Sequence, residues 1–161
     1  MGKTKIKAAV LTASDTREAK DDASGTVLVG KLLAMSAEVV KRVVVTDDLL
    51  EIREVLFSLS SDPEINLILT TGGTGFSPRD NTPEATRAVI EREAPGIAEA
   101  IRAVSLINTP TAMLSRGIAG IRGKAMIVNL PGSPKGASEC FDVIAPILQH
   151  AVDLLNDSAI H

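Results

Sequence analysis

The sequence LILTTGGTGFSPRDNTPE, residues 67–84, decides the fold of this 161-residue chain. Its apolar start predicts a buried strand, its glycines predict a tight loop, and Thr82-Pro83 predicts the beginning of a helix. Because glycine has no Cβ, the loop's backbone N–H groups are able to approach an anion closely. The dipole of the following helix adds partial positive charge at the same place. We therefore expect a site for a phosphorylated ligand, with Asp80 beside it.

Strands and helices alternate on both sides of this stretch. Five segments have the apolar or β-branched character of strands: Ile6–Thr12, Val39–Val45, Leu67–Thr71, Arg116–Arg122 and Ala125–Leu130. The last two predict a β-hairpin, and the others predict parallel strands joined through helices. This order predicts an α/β three-layer sandwich, a mostly parallel sheet with helices on both faces and one antiparallel hairpin strand. Since neither a linker nor an internal repeat interrupts the pattern, we expect residues 1–161 to form a single domain.

Polar residues and prolines mark where the helices begin and end. Ser24 is predicted to cap the first helix, and Asp48 with Glu51 resembles a capping box for the second. Thr82 is predicted to cap the helix that follows the glycine loop. In the last helical region, Pro146 is expected to kink the helix or divide it in two, since proline lacks a backbone N–H.

Composition excludes several classes of function. The net charge of −3 gives no electrostatic support for binding nucleic acid or an anionic membrane. The chain has no Trp and no Tyr for stacking on bases, and no apolar run approaches the ~20 residues of a membrane span. One cysteine, Cys140, fits a reducing cytosol. With His150 and His161 it makes too few ligands for zinc, so we expect any metal to be an oxygen-liganded ion such as Mg²⁺.

The loops after the predicted strands carry the candidate site residues. Parallel sheets bind ligands beyond the carboxyl ends of their strands. Four polar loops are predicted to meet there: Ser14-Asp15, Asp47-Asp48, Thr71–Asp80 and Pro131–Lys135. If Asp48 caps its helix, Asp47 is left to face the ligand. Two carboxylates beside a phosphate cradle would repel a phosphate unless a cation joins them, so we expect Mg²⁺ between Asp47 and Asp80, as in phosphoryl or nucleotidyl transfer.

Each of these residues also has a purely structural interpretation. The glycine loop matches neither the Walker A pattern nor the dinucleotide fingerprint, and a tight turn alone explains part of it. Asp80 is able to brace its own loop, Arg79 is either a phosphate clamp or an exposed side chain, and Ser14, Asp15 and Ser133 are equally suited to satisfying turns. Cys140 and His150 are interpreted as a packing residue and a surface residue.

Several blocks of sequence together form a specific signature: Thr70–Asp80, Thr82–Thr86, Ile90–Gly96, Met113–Arg116, Gly120–Lys124 and Asn129–Ser133. They resemble the molybdopterin adenylyltransferases, the family of bacterial MogA, of the G domain of gephyrin and of its plant counterpart. The resemblance extends over roughly residues 5–157. It implies a cytoplasmic homotrimer that adenylylates molybdopterin with Mg-ATP, releases pyrophosphate, and hands the product to a molybdenum-inserting protein.

The resemblance also implies roles for particular residues. The family's acidic pair falls on Asp47 and Asp80, as catalytic and Mg²⁺-binding residues, in agreement with the choice made from the residues alone. The remaining candidates for binding nucleotide or pterin are Thr71, Gly72, Gly73, Thr74, Gly75, Ser14, Asp15, Ser105, Ser115, Gly132, Ser133 and Lys135. Thr46 stands where the family usually has proline, and Asn81 stands where it has an apolar residue. Neither departure removes a reacting group.

Three other functions remain open from the sequence. A carrier would bind molybdopterin without turnover, a scaffold would act through protein contacts, and a different nucleotide-dependent transferase would use the same kind of sheet. The sequence offers no linker or second domain in support of a scaffold.

Overall fold

The computed structural model describes residues 2–16 and 19–157 and shows the predicted α/β three-layer sandwich. A six-stranded sheet with strand order β2-β1-β3-β6-β5-β4 forms the middle layer. The strands are β1 Lys7–Ala13, β2 Glu38–Val45, β3 Leu67–Thr71, β4 Arg92–Glu93, β5 Ala119–Arg122 and β6 Ala125–Leu130. Strands β2, β1, β3 and β6 are parallel, and β5 pairs antiparallel with both β6 and β4. The predicted hairpin is confirmed.

Five α-helices cover the sheet: α1 Ala23–Ala34, α2 Leu49–Ser61, α3 Thr82–Arg87, α4 Pro95–Asn108 and α5 Pro134–Leu155. Two 3-10 helices, Ala19–Asp21 and Pro110–Leu114, lie in the connections. On one face, buried side chains of α1, α4 and α5 pack on the sheet, with Leu28, Phe141 and Leu148 among them. On the other face, α2 and α3 bury Ile52, Leu56 and Ala85. Within the described ranges, no helix has the length and hydropathy of a membrane span.

Several predicted helix boundaries need correction. Asp22, not Ser24, caps α1, because the buried Asp22 carboxylate accepts the Gly25 N–H at 3.0 Å. Asn81 precedes α3, and Thr82 lies inside the helix instead of capping it. The predicted division of the last helix at Pro146 is wrong, since α5 runs unbroken through this residue. Pro146 has no N–H to donate to the carbonyl one turn before it. Because Pro146 is exposed, that carbonyl lies on the solvent side of the helix, and packing of the buried face holds the helix together.

The sheet also differs from expectation at its hairpin edge. Arg116–Arg122 was predicted as one strand, but β5 begins at Ala119, and the preceding residues turn towards the glycine loop. The two-residue strand β4 was not predicted, because so short a segment carries no periodicity. The carboxyl ends of β1, β2, β3 and β6 nevertheless meet at one edge, as the parallel register requires.

Candidate active site

Asp48 and Asp47 divide two tasks at the end of β2. The Asp48 carboxylate accepts the Glu51 N–H at 2.9 Å and caps α2, as the capping-box pattern predicted. Its neighbour Asp47 is half-buried and faces the ligand edge of the sheet. Glu51 does not complete the box, because its carboxylate binds the Thr46 hydroxyl instead.

Asp15 and Asp47 join the loops after β1 and β2 through two reciprocal hydrogen bonds. The Asp15 N–H donates to Asp47 Oδ2, and the Asp47 N–H donates to Asp15 Oδ1, each at 2.9 Å. Arg79, from the glycine loop, donates to both oxygens of Asp15 at 2.8 and 2.9 Å. The Arg79 guanidinium, and then the Asp47 N–H, lower the pKa of Asp15 to about 2. Asp15 therefore stays ionised and holds three loops together.

The second oxygen of Asp47 has no such partner. Among the described residues, Asp47 Oδ1 and Thr82 Oγ1 are buried without any hydrogen bond. Both atoms lie beside Gly73, where an added Cβ would meet Thr82 Oγ1 at 2.4 Å and Asp47 Oδ1 at 3.3 Å. Burial, together with the charges of Asp15 and Asp80, raises the pKa of Asp47. An acidic oxygen is thus held where no donor in the described chain forms a hydrogen bond with it.

The glycine loop requires glycine at two of its positions. Gly72 has φ +96° and Gly73 has φ +67°, a left-handed conformation that other residues adopt only with strain. A Cβ on Gly72 would meet the Ala13 carbonyl oxygen at 2.4 Å. The loop therefore packs directly against the end of β1, which brings the candidate residues of both elements together.

Asp80 is fixed by its own loop. Asp80 Oδ2 accepts the Ser77 N–H at 2.9 Å, and the Asp80 N–H donates to the Ser77 carbonyl at 2.9 Å. The bracing role considered for Asp80 is therefore real for one of its oxygens. The residue is only half-buried, and it faces the same cleft as Asp47.

The carboxylate cleft, as we name it, has a volume of about 190 Å³ and lies at the carboxyl ends of the parallel strands. It is lined by Ala13, Ser14, Thr16, Asp47, Gly72, Gly73, Asp80 and Gly132. The structure thus brings together five of the predicted polar and glycine positions from three separate loops, along with Gly132 from a fourth, the loop after β6. Its chemistry is that of a small polar site with two acidic groups.

A second cleft, the serine cleft, lies on the other side of the glycine loop and has a volume of about 290 Å³. Its lining includes the predicted residues Thr74, Gly75, Ser105, Ser115 and Ser133. Apolar side chains and backbone from α4, from the 3-10 helix 110–114 and from α5 complete its walls. The predicted residues therefore fall into two neighbouring clefts that share the glycine loop as a wall.

Four predicted residues line neither cleft. Thr71 is buried, and its hydroxyl donates to the Pro131 carbonyl at 2.6 Å, so it joins two loops. Asp15 and Arg79 form the ion pair described above at the rim, and Lys135 is exposed in the first turn of α5.

Cys140 is more than the packing residue that was predicted. It is buried, and its Sγ lies in the wall of the serine cleft, 3.5 Å from Ser105 Oγ. Burial raises the pKa of the thiol, so Cys140 is a neutral group there at physiological pH. His150 is exposed as expected, and His161 lies outside the described residues.

The contribution of Arg116 and Thr82 to this region was not predicted from the sequence. Arg116 was quoted only as part of the Met113–Arg116 block and as the start of a predicted strand, yet its side chain reaches the glycine loop at two points and Glu84 of α3 at a third. Thr82 was assigned to a helix cap, but its hydroxyl lies buried beside Asp47. No local pattern identifies such contacts, because the partners are distant in sequence.

The donors present fit a magnesium ion that shares its coordination with a substrate. No group of three acidic, histidine or cysteine residues suited to a metal occurs in the described part of the chain. Mg²⁺ is commonly held by one or two carboxylates, with phosphate oxygens and water as its other ligands. Asp47 Oδ1, which is buried without a hydrogen bond, is an oxygen of this kind, and Asp80 lines the same cleft.

Comparison with known proteins identifies similar chains. Residues 9–150 match the family described as "Probable molybdopterin binding domain". The chain is 44% identical over 153 residues to the molybdenum cofactor synthesis protein cinnamon of Drosophila melanogaster, covering 92% of this chain and 25% of that protein. It is 44% identical over 112 residues to a molybdopterin adenylyltransferase of Helicobacter pylori, covering 70% of this chain and 64% of that enzyme. The chain thus spans less than two thirds of these curated relatives.

Solved structures agree with this similarity. The crystal structure of the molybdopterin biosynthesis enzyme MoaB from Thermus thermophilus has a TM-score of 0.87 and 43% sequence identity. The superposition covers 94% of this chain and 97% of that one. The sheet and its surrounding helices are therefore those of this group of proteins.

Proposed function

The chain belongs to the family of probable molybdopterin binding domains, and from that membership we propose that it is a molybdopterin adenylyltransferase. Residues 1–161 act as one molybdopterin-binding domain in this proposal. The substrates are molybdopterin and ATP, and Mg²⁺ accompanies the ATP. The single observation that carries the proposal is the pairing of Asp47 and Asp80 in one small cleft beside the glycine loop. The adenylyltransferase name of the Helicobacter pylori relative supports it.

The proposed reaction transfers AMP to a phosphate. A terminal phosphate oxygen of molybdopterin forms a bond to the α-phosphorus of ATP, and the bond from that phosphorus to pyrophosphate breaks. Adenylyl-molybdopterin and pyrophosphate are the products. When bound, Mg²⁺ neutralises phosphate charge as this exchange proceeds.

The residues of the chain align and accommodate the two substrates. Asp47 and Asp80 would hold the ion at the carboxylate cleft, with Asp47 turned inward by its bonds to Asp15. The N–H groups of the glycine loop bind phosphate, because no Cβ stands in front of them. The serine cleft takes the organic part of molybdopterin, since it is the more spacious and the more apolar of the two clefts. Holding both substrates against one loop supplies the alignment that transfer needs.

The deciding experiment measures pyrophosphate release from protein, Mg-ATP and molybdopterin. We expect release by the wild type and its loss in the double variant Asp47→Ala, Asp80→Ala, with molybdopterin binding retained. Asp142→Ala is the matched control, because this exposed aspartate pairs with Lys31 of α1 and lines neither cleft. A wild type that binds molybdopterin but releases no pyrophosphate would be a carrier, which is the alternative function.

Further features of the proposal come from the resemblance. We place the reaction in the cytoplasm, take the working form to be a homotrimer, and expect the product to pass to a molybdenum-inserting protein. A complex between the loaded protein and such an acceptor, detected by size-exclusion chromatography, would support the transfer of the product.

A further inference from the structure

Arg116 forms several hydrogen bonds to the loop that carries Asp80, and no pattern in the sequence indicates them. It lies between the 3-10 helix 110–114 and β5. Its backbone N–H donates to the Thr74 carbonyl at 2.8 Å, and its Nε donates to the Gly75 carbonyl at 2.8 Å. Its Nη2 donates to the Asp80 carbonyl at 2.7 Å. One residue thus binds the loop at its beginning and at its end.

The remaining nitrogen reaches the helix that follows. Arg116 Nη1 donates to both carboxylate oxygens of Glu84, in α3, at 2.7 and 2.9 Å. The side chains of Arg116 and Glu84 are 36% and 44% exposed, so this ion pair is too open to water to contribute much stability. Its main effect is geometric, because it orients the planar guanidinium so that the other two nitrogens face the loop.

The position of Arg116 separates it from the groups that would touch a substrate. It is absent from the lining of both clefts, whereas its neighbour Ser115 lines the serine cleft. Thr74 and Gly75, which it binds, line the serine cleft, and Asp80 lines the carboxylate cleft. Arg116 therefore sits behind the wall that the two clefts share.

We propose that Arg116 is a positioning residue for the transfer reaction: its guanidinium fixes the segment from Gly75 to Asp80 so that the Asp80 carboxylate is held opposite Asp47. This inference rests on the proposed adenylyltransferase function. In this proposal the Arg116 side chain aligns the Asp80 carboxylate with the substrate bound in the serine cleft. Arginine is required because its nitrogens diverge in one plane, whereas the single nitrogen of lysine is not able to reach both carbonyls.

The test compares Arg116→Lys and Arg116→Ala with the wild type in pyrophosphate release. We expect kcat to fall about 10- to 100-fold in both variants, the effect of a misplacement near 1 Å, with KM for molybdopterin changed less than about threefold. We also expect a higher Mg²⁺ concentration for half-maximal activity. Calorimetry should show weaker binding of a non-hydrolysable ATP analogue with Mg²⁺, which is a readout apart from turnover.

Two matched controls separate positioning from general stability. Glu84→Gln removes the charge of the ion pair but keeps an amide oxygen that can accept from Arg116 Nη1, so the guanidinium stays oriented towards the loop and we expect kcat within about twofold of the wild type. Arg122→Ala removes an arginine that stacks on Phe57 at 4.3 Å, outside both clefts, and should also leave kcat unchanged. Circular dichroism establishes that each variant is folded.

The outcomes are distinct. An inactive wild type refutes the proposed function, whatever the variants do. With an active wild type, unchanged kcat and Mg²⁺ dependence in Arg116→Lys overturn the positioning role. If Arg116→Ala does not fold, the lysine variant decides. A failure of the lysine variant to fold would also overturn the proposal, in favour of a purely structural role.

Discussion

The carboxylate of Asp47 lies in an environment that is unfavourable for its charge when no ligand is bound. Its Oδ2 accepts the Asp15 N–H, but its Oδ1 is buried without a hydrogen bond among the described residues. Burial raises the pKa of this carboxyl, and the charges of Asp15 and Asp80 add to the effect. A buried acidic oxygen without a hydrogen bond is typical of a functional site, because a bound cation would satisfy it.

Asp47→Asn should therefore stabilise the protein while it removes activity. The amide keeps an acceptor for the Asp15 N–H and removes a half-buried charge close to two other carboxylates. We expect the free energy of unfolding to rise by about 0.5–1 kcal/mol, seen as a Tm increase of about 1–4 °C. Pyrophosphate release should fall at least ~100-fold. A lower Tm in thermal unfolding would contradict this account of Asp47.

Asp15 makes the stability of the protein depend on pH, because its pKa is lowered by folding. Its pKa is about 2 in the folded protein, below the usual 3.8. Its contribution to stability is therefore present above about pH 4 and is lost as the pH falls towards 2. In urea unfolding, the difference between the wild type and Asp15→Asn should shrink over this range. Because Asp15 is exposed, high salt should reduce the difference at pH 7 as well. A difference independent of pH would exclude the Arg79 pairing as its source.

Individual residues differ in how far the sequence predicts them. The distinction between Asp47 and Asp48 followed from the spacing to Glu51, since a cap acts over three residues. Arg116 was missed because its partners Gly75 and Asp80 are 41 and 36 residues away. Cys140 was given a packing role because the cleft beside it is formed by segments that only the fold brings together. Local chemistry is visible in a sequence, and contacts between distant loops are not.

At the scale of elements, the glycine loop is a connection with almost no freedom. Gly73 combines φ +67° with a Cβ direction that points at the Thr82 hydroxyl, 2.4 Å away. Two features therefore require glycine at position 73: the backbone conformation and the close packing against α3. Both constraints hold the loop's N–H groups and Asp80 in fixed relation to Asp47.

Gly73→Ala should destabilise the protein and abolish activity. The strained backbone costs about 1–3 kcal/mol, and the contact with Thr82 adds to it. Gly30→Ala is the matched control, because Gly30 lies inside α1 with open space around its Cβ direction. That change should stabilise the protein by up to about 1 kcal/mol. Urea unfolding of both variants measures the contrast, and equal effects would refute the special role of the loop.

The predicted strands were most accurate where they were apolar and central. Strands β3 and β6 match the prediction at both ends, because each is a continuous buried run that ends at a turn. The edge of the sheet was less predictable, since β5 is shorter than expected and β4 has only two residues. In α5, packing along the buried face overrode the local effect of Pro146.

At the scale of the whole molecule, the exposed apolar side chains are unevenly distributed. Five of the twelve large exposed hydrophobic residues of the described chain fall within residues 104–114: Val104, Leu106, Ile107, Met113 and Leu114. Ile107 is 82% exposed, more than any other of the twelve. A concentrated apolar patch is typical of a surface that contacts another protein chain.

If the working form is the homotrimer proposed above, this patch on α4 and the 3-10 helix 110–114 is the surface that a second copy covers. Sedimentation should then give three times the monomer mass for the wild type. Ile107→Glu should shift the distribution towards monomer, because a charge buried at an interface without a partner is unfavourable. Leu33→Glu, on an isolated exposed leucine of α1, is the control and should leave the mass unchanged. Since α4 and this 3-10 helix also line the serine cleft, dissociation should raise KM for molybdopterin. A wild type that sediments as a monomer at every concentration would refute both expectations.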